Sequence, residues 1–186
     1  MSSHRLRLFA LLASGSLATL AATGTSPARA ADAAPPITAQ TLIDRALIED
    51  LVNEYYAQLG TGNHDFSYWF APDGVLDVNG EIGTGKAGIE QIYKNTAARG
   101  GAASRPGQFR MLLTNLRIVV RGSAATADMI WTGFDNPSVT TTTKIVEQGT
   151  EHAELVKLNG RWVFKHRIVT SDGGMHPDLL KTYKKH

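Results

Sequence analysis

The 186-residue sequence contains no cysteine. This absence excludes disulfide bonds, thiolate metal sites and cysteine nucleophiles together. The sequence also lacks a run of basic residues interleaved with aromatic residues, the pattern typical of nucleic-acid binding, so we expect no nucleic-acid partner. Without disulfide bonds the fold depends on its hydrophobic core, and about 150 residues are enough to form one domain with such a core.

Long hydrophobic runs are scarce as well, apart from one near the N-terminus. Two arginines precede an apolar run from Leu8 to Leu20, and small residues at Ala28 and Ala30 suit a signal peptidase. The run is too short for a membrane-spanning helix. We therefore predict a signal peptide over residues 1–30, cleavage near Ala30, export to the periplasm or the medium, and no integral membrane segment. A surface helix that stays attached is the alternative. Cleavage would remove three of the 19 basic residues and no acidic residue, leaving 16 basic against 17 acidic residues.

Hydrophobic periodicity divides the remaining chain into helices followed by strands. Residues 31–40 predict a disordered leader and residues 41–186 a single domain. Apolar residues spaced by three and four predict a first helix from Thr41, capped by Thr38 or Thr41 and ended by Gly60 with Gly62. The other expected elements are a short helix at 65–70, a strand at 75–78, a loop at 80–85, a helix at 87–98 and strands at 109–121, 124–134, 140–158 and 161–170. Helices first and a strand meander later indicate the α+β class.

Four short motifs follow one another along residues 41–170. They are Ile48-Glu49-Asp50-Leu51 through Tyr55-Tyr56, Phe70-Ala71-Pro72-Asp73-Gly74-Val75, Gly85-Lys86-Ala87-Gly88-Ile89, and Asn159-Gly160-Arg161-Trp162 followed by His166-Arg167. In this order they resemble the SnoaL-like and ketosteroid-isomerase-like family, within the nuclear-transport-factor-two-like fold. The resemblance implies a cone-shaped, curved antiparallel sheet wrapped around N-terminal helices and enclosing an apolar pocket, without a cofactor, in a homodimer or homotrimer. This fold hosts dehydratases, isomerases, cyclases, epoxide hydrolases and non-catalytic binding proteins, so the fold alone does not decide the function.

Two candidate catalytic residues come from the first half of the chain. By the resemblance, Tyr55 stands where ketosteroid isomerases carry a tyrosine that stabilises an oxyanion, although a core tyrosine is an equal alternative. Asp77 stands in the segment that holds their proton-abstracting aspartate, and burial against an apolar cavity would raise its pKa toward the working pH. Strand alternation places Asp77 with Val75 and Asn79 on one face. The opposite face carries the more apolar pair Leu76 and Val78 and is an equal alternative for the inward face.

Two further candidates lie on the long third strand of the meander. His152 and Glu154 share one face of this strand, with Glu151 and Lys157 expected on the outer face. By the resemblance, Glu154 stands where the isomerases place a second, protonated carboxylic acid. A histidine two residues away could complete an acid/base pair that changes charge near neutral pH. Surface alternation on an edge strand is the alternative.

Several residues are expected to form the binding surface. Scytalone dehydratase and its bile-acid relatives carry histidines where this sequence has Met111 and Met129, so their two-histidine dehydration chemistry is not expected here. Methionines beside aromatic rings instead form an adaptable wall for flat hydrophobic ligands. The predicted substrate-binding residues are Trp69, Arg110, Met111, Met129, Trp131 and His166. Arg167 is expected to pair with an acid of the first helix, Asp44 or Asp50.

Two other kinds of site receive little support. The segment Gly80–Ala87 fits a phosphate-binding loop through Lys86, but Ala87 replaces the hydroxyl that would hold magnesium. The histidines at 64, 152, 166 and 176 lack helical pair spacing and acid clustering, so no metal site is expected.

The sequence thus favours a cofactor-independent lyase or isomerase that acts by general acid/base catalysis on a small hydrophobic hydroxy or carbonyl compound. An aromatic, polyketide-like or terpenoid-like substrate would fit. Dehydration, double-bond migration and retro-aldol-like cleavage all remain open. The alternative is a periplasmic binding or accessory protein without chemistry. An epoxide hydrolase is a third interpretation, for which Asp128 with Arg110 is the nearest candidate cluster.

Overall fold

A computed structural model describes residues 35–59, 65–101 and 107–184. The predicted signal peptide, residues 31–34 of the predicted leader, His64 and the two glycines expected to end the first helix lie outside these residues. The described part contains two α-helices, α1 (Ala39–Gln58) and α2 (Gly85–Ala98). Its six strands are β1 (Phe70–Val78), β2 (Glu81–Thr84), β3 (Gln108–Arg121), β4 (Ala124–Asn136), β5 (Lys144–Leu158) and β6 (Arg161–Gly173), and short 3₁₀ helices cover Phe66–Trp69 and Pro177–Lys181.

The strands form one curved, unclosed sheet in the order β2-β1-β6-β5-β4-β3. The α+β prediction is confirmed, with one correction to the predicted antiparallel sheet. Strand β1 pairs with β6 in parallel, whereas the other neighbouring strands are antiparallel, so the sheet is mixed. The parallel pair arises because β1 belongs to the first half of the chain and joins the meander through its last strand.

Local sequence signals explain where the elements begin and turn. Thr38 caps α1 through a reciprocal capping box with Thr41, so the helix begins two residues earlier than predicted. Asn159 and Gly160 both adopt positive φ, at 49° and 80°, which is the geometry of a tight hairpin turn between β5 and β6. The segment Glu81–Thr84, expected to be a loop, pairs with β1 as β2, so the candidate phosphate-binding loop is a strand leading into a helix.

The hydrophobic core lies between α1, α2 and one face of the sheet. Ile48 and Val52 of α1, Ile89 of α2 and Phe164 of β6 have no solvent exposure. Asp44 of α1 is also buried there and accepts hydrogen bonds from three donors: Lys157 Nζ (2.7 Å), Trp162 Nε1 (3.0 Å) and Gln40 Nε2 (3.1 Å). These bonds, that of Lys157 above all, lower the pKa of Asp44 although burial opposes the effect. Asp44 therefore connects the first half of α1 to β5 and β6 through hydrogen bonds.

Candidate active site

A cavity of about 270 Å³ opens between the two helices, the inner face of the sheet and the C-terminal segment. Its wall is largely aromatic and aliphatic, with a few polar groups among them. The polar side chains of the wall include those of Tyr55 and Tyr56 of α1, Tyr93 of α2, Glu147 of β5, Arg167 of β6 and His176. A mostly apolar cavity with a few convergent polar groups is the usual form of a small-molecule site.

Tyr55 and Tyr93 form a hydrogen-bonded pair of phenols at this wall. Phe66 stacks on the Tyr93 ring at 4.3 Å between ring centroids, and Phe164 meets the Tyr55 ring edge-on at 5.6 Å. Burial raises the pKa of both tyrosines above its ordinary value of 10.0, Tyr93 strongly, while the positive charge of Arg167 opposes the rise. Both hydroxyls therefore stay protonated at neutral pH and are available as hydrogen-bond donors.

Arg167 forms a fully buried ion pair beside the two tyrosines. Its Nε donates to Glu151 Oε1 at 2.8 Å, and its Nη2 donates to Glu151 Oε2. The same Nη2 also donates to the Tyr56 hydroxyl, at 3.2 Å. The Tyr56 hydroxyl also donates to Glu151 Oε2. The guanidinium carbon lies 4.0 Å from the centre of the Tyr55 ring, a cation–π contact. Burial is the largest single influence and lowers the pKa of Arg167. The charge of Glu151, together with the electrostatic effects of Tyr55 and Tyr56, raises this pKa by more, so it lies well above the ordinary value.

The predicted partner of Arg167 was wrong. Arg167 pairs with Glu151, whereas Asp44 pairs with Lys157 and Asp50 is exposed on α1. Glu151 had been expected on the outer face of β5. It is only 3 % exposed and lies on the inner face, in phase with Ala153 and Leu155.

His152 and Glu154 consequently lie on the outer face of β5, away from the cavity. His152 Nδ1 is 2.6 Å from Asp128 Oδ1 in a half-exposed pair, and Glu154 is exposed. Asp128 is 3.9 Å from Arg117 rather than paired with Arg110, so the cluster considered for an epoxide hydrolase is not formed. The inward-facing residues of β5 are therefore Glu151, Ala153 and Leu155, one residue away in register from the predicted set that contains His152 and Glu154.

A β-bulge explains the position of His166. Glu154 pairs with His166 while Leu155 pairs with Phe164, so Lys165 is an extra residue in β6. Trp162 and Phe164 point inward before the bulge and Arg167 points inward after it. His166, expected to share their face and reach the pocket floor, does not line the cavity.

Asp77 also lies on the face of β1 that turns away from the cavity. Its Oδ1 accepts a hydrogen bond from the backbone of Gly80 at 2.7 Å, which closes the turn between β1 and β2. Leu76 and Val78 line the cavity instead, which is the alternative that strand alternation had left open. Asn79 reaches the cavity because its positive φ of 55° breaks the alternation.

The predicted binding residues are divided between the cavity and other surroundings. Met111 and Trp131 line the cavity, and a side chain at Gly149 would come within 2.6 Å of the Trp131 ring, so this glycine makes room for it. Met129 is buried in the core without lining the cavity. Trp69 packs at the edge of the core and Arg110 is exposed.

Comparison with known proteins agrees with the fold described above. Residues 40–168 match the model of the SnoaL-like domain. This chain belongs to the SnoaL-like family. The family includes cofactor-independent isomerases and dehydratases. No curated protein sequence matches the chain.

Solved structures with the SnoaL-like architecture show the same fold at low sequence identity. An NTF2-like protein with a cystatin-like fold from Novosphingobium aromaticivorans is 22 % identical, with a TM-score of 0.61 over 76 % of this chain and 91 % of that one. A candidate scytalone dehydratase from the same species is 17 % identical, with a TM-score of 0.59 over 73 % and 88 % of the two chains. A protein from Catenulispora acidiphila, solved in complex with S-DNPA, is 21 % identical, with a TM-score of 0.60 over 70 % and 95 %.

Sequence reasoning about the SnoaL-like site missed three cavity residues to which we give chemical roles, Tyr93, Glu147 and His176. Gly133 and Gly174 make room for Glu147, since a side-chain carbon at either glycine would lie within 2.7 Å of Glu147 atoms. His176 begins the 3₁₀ helix Pro177–Lys181, and its Nδ1 accepts from the Asp178 backbone at 3.3 Å. The pair His176-Pro177 was the available signal, because a capping residue before proline often starts a helical turn.

The C-terminal segment closes one side of the cavity. Thr182 Oγ1 donates to the Asn79 carbonyl at 3.1 Å, and the Tyr183 hydroxyl donates to the Ser171 carbonyl at 2.8 Å. Leu179 is buried between these anchors and lines the cavity with His176. Within the described residues no group of three histidine, aspartate or glutamate side chains is placed to hold a metal ion. The helices described there include none that is long and apolar enough to span a membrane.

Proposed function

We propose that this protein is a cofactor-independent lyase or isomerase that acts by general acid/base catalysis on a small hydrophobic hydroxy or carbonyl compound. The observation that carries the proposal is the Tyr55–Tyr93 phenol pair, which is buried beside Arg167 in a largely apolar cavity. An aromatic, polyketide-like or terpenoid-like substrate suits the wall that Met111 and Trp131 form.

The tyrosine pair supplies the hydrogen bonds that a developing oxyanion needs. One phenol donates to the other, which leaves the pair with one O–H for the substrate oxygen. Preorganised donors of this kind act strongly in a cavity from which water is excluded. Dehydration, double-bond migration and retro-aldol-like cleavage all pass through an enolate or a related anion that such a donor stabilises.

Glu147 and His176 take the proton-transfer roles that the sequence had suggested for Asp77, His152 and Glu154. Both line the cavity, and a carboxylate and an imidazole in one cavity can supply a base and an acid for an elimination or isomerisation. In the neutral ring, His176 Nδ1 accepts from the Asp178 backbone N–H, so Nε2 carries the proton. In the protonated ring, Nδ1 can pair with the Asp178 carboxylate, 3.6 Å away, and Nε2 can give up its proton as an acid, which returns the ring to its neutral form. We assign the base role to Glu147 and the acid role to His176.

The test begins with a panel of uncharged aromatic and terpenoid hydroxy-ketones, with products identified by mass spectrometry. Tyr55→Phe and Tyr93→Phe are then compared with Tyr68→Phe, an exposed tyrosine outside the cavity. Loss of one oxyanion donor should reduce turnover by about a hundred- to a thousandfold. Tyr68→Phe should leave it unchanged.

Equal turnover in all three tyrosine variants would overturn the proposal. Tight binding of panel compounds without any turnover would instead favour the non-catalytic binding protein. Export of the chain is part of the same proposal, since the predicted signal peptide would place the protein outside the cytoplasm.

A further inference from the structure

Arg167 has a hydrogen-bonding edge that its protein neighbours leave unused. The guanidinium is about 1 % exposed, and Nε and Nη2 are both occupied by Glu151 and Tyr56. Its Nη1 is buried and has no hydrogen-bond partner among the described residues. A buried donor without an acceptor is costly, and such groups are rare in folded proteins.

Arg167 lies between the cavity and Glu151, and from this we infer that the edge Glu151 leaves unused faces the cavity. Arg167, Tyr55 and Tyr56 line the cavity, whereas Glu151 does not. Glu151 holds the Nε–Nη2 edge of the planar guanidinium, so Nη1 lies on the edge that turns away from Glu151. The plane of the guanidinium is fixed by its contact with the Tyr55 ring and by its two hydrogen bonds to Glu151.

The charge of Arg167 is already neutralised in this dry environment. Glu151 contacts it with both carboxylate oxygens, and Arg99, another arginine at the cavity, is paired with Glu81 at 2.5 Å. A ligand carboxylate on Nη1 would place a second anion on one buried cation, at a desolvation cost that the remaining attraction does not recover. A neutral carbonyl oxygen accepts the same hydrogen bond without that cost.

We propose that Arg167 Nη1 binds the carbonyl oxygen of an uncharged ligand and that the cavity selects against carboxylates of the same shape. Arg167 is then a specificity-determining residue, separate from the Tyr55–Tyr93 donor pair. The proposal rests on the proposed function only in taking this ligand for the substrate. The test measures binding without turnover. The carbonyl selection by Arg167 and the proposed catalytic function can therefore be refuted independently of each other.

Three probes of matched shape test this selection on the wild-type protein by calorimetry: 2-acetylnaphthalene, 2-isopropenylnaphthalene and 2-naphthoate. They differ only in carrying C=O, C=CH₂ or a carboxylate. A hydrogen bond from a charged donor corresponds to about tenfold or more in affinity. The ketone should therefore bind at least about tenfold more tightly than the alkene and the carboxylate. Equal affinities, a preference for the carboxylate, or no binding of the ketone at millimolar concentration would overturn the proposal.

Two variants assign the selection to the ion pair. Glu151→Gln keeps an acceptor for Arg167 but removes the negative charge, so naphthoate affinity should rise about tenfold. Arg167→Lys keeps the positive charge but removes the Nη1 donor of the guanidinium, so the ketone should no longer bind more tightly than the alkene. Arg161→Lys, at an exposed site outside the cavity, should change none of the three affinities. Circular dichroism checks folding, and the wild-type comparison decides the question if a variant does not fold.

Discussion

Asp44 offers the most quantitative test of the packing between α1 and the sheet. Replacing Asp44 by alanine removes the shared acceptor of Lys157, Trp162 and Gln40. The Trp162 Nε1 donor would then be buried without a partner, at a cost of about 1–3 kcal/mol. Loss of the contact with Lys157, whose side chain is 26 % exposed, adds about 1 kcal/mol or less because solvent screens it.

The expected loss is therefore about 1–4 kcal/mol in the free energy of unfolding at pH 7, or about 2–16 °C in Tm for a domain of this size. Thermal unfolding followed by circular dichroism measures it. Asp50→Ala, an exposed aspartate of the same helix, is the matched control and should leave Tm nearly unchanged. Because Asp44 does not line the cavity, turnover at a temperature below unfolding should be retained.

The pH dependence gives an independent check on the same residue. The pKa of Asp44 is lowered in the folded protein from an ordinary value of 3.8, so its ionised form stabilises the fold above that value. This contribution is lost as pH falls through the lowered pKa. The difference between wild type and Asp44→Ala should thus be constant from neutral pH to about pH 5 and should shrink at lower pH. An equal Tm for the two proteins at pH 7 would refute the reasoning.

Three further predictions concern the protein as a whole. N-terminal sequencing of exported protein should give Ala31 as the first residue, and a chain that still begins at Met1 would remove the basis for export. Light scattering should detect a dimer or trimer, and a clean monomer at micromolar concentration would refute the predicted assembly. Turnover should survive exhaustive chelation without added nucleotide or flavin, whereas recovery of a stoichiometric metal would end the cofactor-independent interpretation.

Elements with strong local signals could be predicted from the sequence. The α1 cap at Thr38, the helix around Ile89 and Ile92 and the Asn159-Gly160 hairpin each depend on residues that are close together in the chain. The family motifs supplied the order of the elements and the α+β class. The parallel pairing of β1 with β6 depends on residues far apart in sequence, and no local pattern encodes it.

The site was harder to predict because a one-residue change of phase exchanges the two faces of a strand. In β5 both alternations contain apolar residues, and only pairing with the core selects the one that carries Glu151. In β6 the bulge at Lys165 changes the phase between Phe164 and Arg167, which simple alternation does not anticipate. Tyr55 was identified through the family resemblance, and its position on the buried stripe of α1 agrees with helical periodicity.

We propose that acid/base catalysis takes place in the cavity and not on the outer face of the sheet. The most direct test is kcat/KM for two matched pairs of variants, His176→Asn with His152→Asn and Glu147→Gln with Glu154→Gln. Each pair makes the same chemical change once at the cavity and once outside it. The account predicts a loss of about a hundredfold or more for the two cavity variants and a change of less than about threefold for the other two. A large loss in His152→Asn or Glu154→Gln, with the cavity variants near wild type, would contradict it.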